Sequence, residues 1–163
     1  MKDLRDTCRV AVVQASPVMF DKTACVEKAV RLTEEAGANG AELVVFPELF
    51  VPGYPYGMTF GFTVGHREPS GRLDWKRYYD NSILVPGPET EALSAAAKAA
   101  GVYLSIGVSE REAGHTPKRM SLRCSAIFPL LPLLRTALKH TVIKTEEATR
   151  CIGNDFFFKT FAI

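Results

Sequence analysis

The feature that most constrains this chain is an alternation of β-rich runs with stretches of helical spacing. "RVAVVQA", residues 9–15, is a continuous apolar run of the kind found in buried strands. A turn around Ser16-Pro17 leads to a helix predicted from about Asp21 or Thr23 to Ala36. Val26, Ala29, Val30 and Thr33 fall on one face of it, and Gly37 stands where a C-cap belongs. "AELVVF" is the second strand. "VPGPETEALSAAAKAAG" carries its own start and stop: Pro88 and Thr90 open a helix, Glu89 and Glu91 suit its positive end, and Gly101 closes it. "VYLSIGVSE" is a third strand. "SLRCSAIF", residues 121–128, is a fourth, joined to the third by "REAGHTPKRM". Strand, helix, strand, helix, strand predicts an α/β layered sheet. Residues 51–74 lack periodicity and read as a long surface excursion, with a short helix in "DWKRYYDNSI".

Composition narrows the partners. A chain of 163 residues with 47% hydrophobic and 23% charged residues can bury the core of one ordinary globular domain. The net charge of +2 comes without a basic block, so nucleic acid is not expected as a partner. "MKDLRDTCRV" has no apolar h-region, which argues against a secretory signal and for a cytoplasmic location. "AIFPLLPLL", residues 126–134, is too short to span a bilayer and holds two prolines, so no membrane partner is expected. Cys8, Cys25, Cys124 and Cys151 are widely spaced, with no C-x-x-C, and are expected as free thiols. His66, His115 and His140 lie at no ligand spacing from one another or from the cysteines, so no metal and no cofactor are expected.

One charge stands out. In "VVFPELFVPGYPYG", residues 44–57, Glu48 follows at once on a strand that reads as buried. In open α/β sheets, reactive groups gather beyond the carboxyl ends of the strands. A carboxylate held there and partly desolvated would be a candidate general base. On pattern alone, a solvated or helix-capping Glu is the simpler reading. A nucleotide-binding unit is disfavoured, because "ASPVMFD" after the first strand contains no glycine.

The flanking residues bring a family into view. "RVAVVQASPVMFDKTACVEKA" followed by "GAELVVFPELFVPGYPYG" resembles the opening of the nitrilase family in the carbon–nitrogen hydrolase superfamily. The likeness continues through "FGFTVG", "YYDNSILVPGPETEALSAAAKAAGVYLSIGVSERE" and "SLRCSAIF", so that residues 8–128 resemble the N-terminal half of such a domain. The resemblance implies a partial α-β-β-α sandwich, a subunit that pairs and often assembles further, and a small nitrile as substrate. It also implies a Glu, Lys and Cys mechanism: a thiolate attacks the nitrile carbon, Glu acts as base, and Lys steadies charge on nitrogen. Glu48 matches the family's Glu in context. Tyr54 matches a loop position that would line the substrate pocket, and it is otherwise a half-buried packing aromatic.

The match breaks after Phe128. Aligning "KHTVIKT" on the family's His puts Val142 where the catalytic Lys belongs, with Lys144 displaced by two residues. The family's nucleophile sits in a C-W-E elbow, and the single Trp of this chain is Trp75. Cys151, in "TRCIGND", lies downstream of the Glu and Lys regions but has the wrong flanks, and Cys124 falls on a strand. Residues 129–163 are therefore expected to be a divergent tail without persistent period, leaving sheet edges unpaired. Three outcomes are expected: a nitrilase-type hydrolase segment that is inactive by itself, a non-catalytic half-domain that pairs with full-length nitrilase subunits, or a chain with no function.

Overall fold

Six strands join into one sheet, in the order β4-β3-β2-β1-β6-β5. The computed structural model describes residues 7–58, 60, 69–111, 120–127, 144–152 and 156–162, the last three stretches by their backbone. The elements are β1 (Thr7–Val13), α1 (Lys22–Ala38), β2 (Leu43–Val45), α2 (Pro69–Asp80), α3 (Pro88–Ala100), β3 (Tyr103–Arg111), β4 (Met120–Ile127), β5 (Lys144–Ile152) and β6 (Phe156–Ala162). β1, β2 and β3 are parallel, in a register that aligns Ala11 with Val44 and Val44 with Leu104. β4 runs antiparallel to β3, β6 antiparallel to β1, and β5 antiparallel to β6.

Local chemistry accounts for the helices. The Asp21 side chain caps α1 by accepting from the Ala24 N–H at 2.9 Å. At the start of α3, the Thr90 hydroxyl reaches back to accept from the Gly87 N–H at 2.9 Å, and Pro88 occupies the first turn. Gly101, at φ 67°, ends α3 in the left-handed conformation that glycine adopts without strain. α2 begins at Pro69, earlier than expected, so the excursion after β2 is shorter than periodicity suggested. Trp75 stacks on Tyr79 within it, at 5.2 Å between ring centres.

One face of the sheet makes the core. Ala11, Val13, Val44, Leu104, Ile106 and Val108 are buried with Cys25, Ala29, Leu32 and Ala36 of α1 and Leu93 and Ala97 of α3. The opposite face is less covered among the described residues: Val12 is 38% exposed, and its row-mates Val45 and Ser105 are only half-buried. This is the α/β class expected. The described residues supply one α layer and one β layer of the four-layer α-β-β-α scheme.

The structure corrects two expectations. The tail is not without elements: β6 pairs along all seven residues of β1, from Thr7 with Ala162 to Val13 with Phe156, and β5 pairs with β6. The edge of β1 is therefore covered. "FFFKTFA" is rich in strand-favouring residues, but a run that does not alternate gives no period from which to read a strand.

Gly37 is the second correction. It lies inside α1, which runs on to Ala38 with Asn39 as its C-cap. A Cβ at Gly37 would come within 2.8 Å of Ala100 Cβ and 2.9 Å of the Ala100 carbonyl oxygen. The glycine is there for the close crossing of α1 and α3. Two opposed effects then act on Gly37→Ala. Ala is the better helix former by about 1 kcal/mol, whereas overpacking costs about 1–3 kcal/mol. Because part of the clash is with a backbone oxygen that no rotamer change relieves, overpacking should win. Gly37→Ala is expected to lower stability by about 1 kcal/mol in urea unfolding, and a raised midpoint would overturn this account of the crossing.

Candidate active site

The turn after β2 is tied to β3 on both sides of Glu48. Before it, the Phe46 N–H donates to the Ser105 carbonyl at 2.8 Å. After it, the Val51 N–H donates to the Gly107 carbonyl at 3.3 Å, and the Ser109 N–H donates to the Val51 carbonyl at 2.8 Å. Phe46 and Phe50 pack edge to face beneath the turn, with ring centres 4.9 Å apart. Leu49 is buried at φ 50°, a left-handed conformation uncommon for a side-chain-bearing residue. The Gly53 N–H closes the turn on the Leu49 carbonyl at 3.0 Å.

Glu48 thus stands beyond the carboxyl end of a parallel strand, where chemistry is usually housed. Its side chain, however, is exposed. The partial desolvation expected for a general base is not supplied by the described residues. A carboxylate at a strand's mouth can simply face outward when its backbone turn takes the strand end's place in the core, as Leu49 and Phe50 do here.

Tyr54 is 50% exposed on the same loop, and Tyr56 is more open still. Near Tyr54 lies a polar cluster that sequence reasoning missed. Tyr78 is buried, its ring edge-on to Phe20 at 6.0 Å and tilted against Phe60 at 5.7 Å. The Ser82 and Ser109 hydroxyls pair at 2.8 Å, and Ser82 also bonds the Tyr78 carbonyl at 3.0 Å. Burial pushes the Tyr78 phenol above its ordinary value; the nearby Ser109 hydroxyl opposes this, and Tyr54 adds to it. Ser109 is nonetheless engaged with Ser82, and Tyr78 Oη completes no hydrogen bond of proper geometry among the described residues. The available signal was Ser109 itself, a hydroxyl inside a strand that reads as buried.

The cysteines divide by position. Cys25 is fully buried in α1, and its Sγ donates to the Val18 carbonyl at 3.1 Å. Burial pushes its thiol up, with the Val18 hydrogen bond opposing and Asp21 adding to the rise, so it is a core thiol rather than a nucleophile. Cys8 is half-buried in β1. Cys124, in β4, is paired with Gly107 of β3. Cys151 pairs with Phe157, Phe157 with Val12, and Val12 with Val45, so Cys151 lies three strands across the sheet from the end of β2. At the usual strand spacing that is about 14 Å.

Lys144 is paired with Ala162, which is paired with Thr7 at the amino end of β1. Glu48 lies past the opposite end, because Val45 is level with Val12. The rows of Thr7 and Val12 are separated by about 17 Å along the strand direction. Lys144 is therefore not brought to Glu48. His140 and Val142 lie outside the described residues. Among the described residues no group of three or more His, Cys, Asp or Glu side chains could hold a metal ion. Nor is any helix among them long and apolar enough to cross a membrane.

The buried thiol gives stability a pH dependence whose sign can be worked out. Above the ordinary thiol value of about 8.5 the unfolded chain ionises Cys25 while the folded chain holds it neutral. The contribution is fully present below that value and is lost as pH rises through the folded one. Tyr78 acts in the same direction, starting from about 10. The urea midpoint is expected to fall as pH rises above about 8.5, and Cys25→Ala should flatten the earlier part of that fall. Equal slopes in the two proteins would remove Cys25 as the cause.

The family described as carbon-nitrogen hydrolase matches residues 9–129. An aliphatic nitrilase of Sinorhizobium fredii (strain HH103) is 48% identical over 120 residues, covering 74% of this chain and 37% of that protein. The bifunctional nitrilase/nitrile hydratase NIT4B of Nicotiana tabacum is 46% identical over 122 residues, covering 75% and 33%. The bifunctional nitrilase/nitrile hydratase NIT4 of Oryza sativa subsp. japonica is 44% identical over 150 residues, covering 90% and 40%. An alignment covering 90% of this chain necessarily runs past residue 129, so the likeness continues into the tail. The chain spans between a third and two-fifths of the length of these relatives. With a family match over three-quarters of its residues and identities near one half, the chain belongs to the carbon–nitrogen hydrolase family.

Proposed function

We propose that these residues form the base-carrying segment of a nitrilase-type hydrolase for a small nitrile, with Glu48 as general base and Tyr54 beside the substrate. In such a reaction a thiolate adds to the nitrile carbon, forming a C–S bond. One electron pair of the C≡N bond moves to nitrogen, which takes a proton, and the product is a thioimidate. Water adds, the C–N bond breaks to release ammonia, and a second water frees the carboxylic acid and restores the thiol. Glu48 would take the thiol proton and activate the waters. The observation that carries this reading is the seating of Glu48 beyond β2, in a turn bonded to β3 on both sides. Kinship with proteins named nitrilases supports the substrate class.

The same reading holds that this chain alone does not turn nitriles over. A thiolate, its base and a cation over the developing anion act as a unit, and losing the nucleophile costs nearly as much as losing all three. In support, Cys151 lies about 14 Å from the end of β2, Lys144 lies toward the sheet's other end, and Cys25 is a buried neutral thiol. The partial cover over the face carrying Val12 favours a second reading, a half-domain that pairs with full-length nitrilase subunits.

Ammonia release from aliphatic, aromatic and cyano-amino-acid nitriles should stay at background for this chain. Turnover abolished by Cys151→Ser or Cys124→Ser would overturn that and name the nucleophile. In a longer protein carrying these residues with a competent thiol, Glu48→Gln should lower kcat by at least about 10²-fold; near-normal turnover would take Glu48 out of the mechanism. Co-purification with a full-length nitrilase would favour the pairing reading, and its failure would leave the segment reading alone.

A further inference from the structure

β3 contains a glycine in its interior, Gly107, which is buried. A glycine in mid-strand weakens the strand, and where it persists it often marks a close approach of another backbone. Its backbone is not in the left-handed region, so no turn requires it. Space does. A Cβ built on Gly107 would overlap the backbone nitrogen of Leu49, and it would lie 2.8 Å from Glu48 Cα and 2.9 Å from the Glu48 carbonyl carbon. None of these atoms belongs to a side chain that could swing aside. The contact is reinforced on both sides, by the Phe46 bond to Ser105 and by the Val51 bonds to Gly107 and Ser109. Leu49 is held at φ 50° with its side chain buried, so the turn has little freedom to rise from the strand.

We propose that Gly107 is a positioning residue for Glu48: the missing side chain lets the Glu48–Leu49 backbone lie directly on β3, and this sets the height at which the carboxylate is presented. The proposal rests on the reading of Glu48 as the base, and it adds the element that holds it in place. Any side chain at residue 107 would lift the turn away from the strand. The carboxylate would then be displaced by an appreciable fraction of the precision that proton transfer demands.

The test is spectroscopic and needs no turnover. The backbone amide and side-chain carboxyl resonances of Glu48 would be followed by NMR in the unaltered chain, in Gly107→Ala and in Ile106→Val. Ile106 lies on the same strand but faces the helices, so Ile106→Val perturbs β3 from its other side. The expected result is a displacement of the Glu48 and Leu49 resonances in Gly107→Ala that Ile106→Val does not produce, with α1 resonances unmoved. Unchanged Glu48 resonances in Gly107→Ala, or equal displacement in both variants, would overturn the proposal. Should Gly107→Ala fail to fold, nuclear Overhauser contacts in the unaltered chain decide. The Gly107 α protons must then lie against the Leu49 amide proton, and their absence would likewise overturn it. A fully active Glu48→Gln variant in a longer protein would sink the general-base reading while leaving the Gly107 contact standing, so the two failures are told apart.

Discussion

The backbone edge that β3 presents toward β2 organises everything else in this molecule. β2 is only three residues long and uses a short part of it, Leu43 to Val45 against Tyr103 to Ser105. Beyond that point the same edge takes up Val51, which bridges Val108, and then Ile83, which bridges Glu110. β2, Val51 just after it and the distant Ile83 are thus laid end to end along one strand, each satisfying backbone groups that burial would otherwise leave unpaired. The Glu48 turn fills the gap between the first two, and Gly107 makes the gap shallow enough for a backbone to lie in it. The geometry of the Glu48 turn follows from hydrogen-bond accounting on a strand edge more than from any side-chain contact.

That arrangement divides the molecule. Toward the carboxyl ends of the parallel strands sit Glu48, the Tyr54 loop and the buried hydroxyls of Tyr78, Ser82 and Ser109. On the far side of β1 lies β6, and beyond it β5, which carries both Lys144 and Cys151. Both residues are therefore on the outermost strand, and Lys144 is also level with the amino end of β1. A catalytic set needs reacting groups within hydrogen-bond reach, and a sheet separates its strands by fixed increments that side chains cannot bridge across three positions. β6 covers an edge of β1 that would otherwise template aggregation, which is a structural service of its own.

Much of the fold was legible in the sequence. Asp21, Pro88, Thr90 and Gly101 act on backbone groups within a few residues, so helix boundaries could be read where such caps exist. Gly37 was misread because a glycine near a helix end has two uses, capping and close crossing, and only the position of Ala100 tells them apart. β6 escaped notice because its partner, β1, lies almost the whole chain length away, and three successive phenylalanines carry no alternation.

What the sequence by itself determined is the class of the fold, the family, and the place of Glu48 after a parallel strand, since each is written in short runs whose chemistry is local. What only the tertiary structure decided is how that glutamate is held and how far it faces water, why residues 37 and 107 are glycines, and which thiol is buried. Those properties depend on contacts between residues distant in sequence. Leu49 lies against Gly107, Gly37 against Ala100, and Phe157 against Val12, and no pattern within a single segment encodes which distant backbone will arrive beside it.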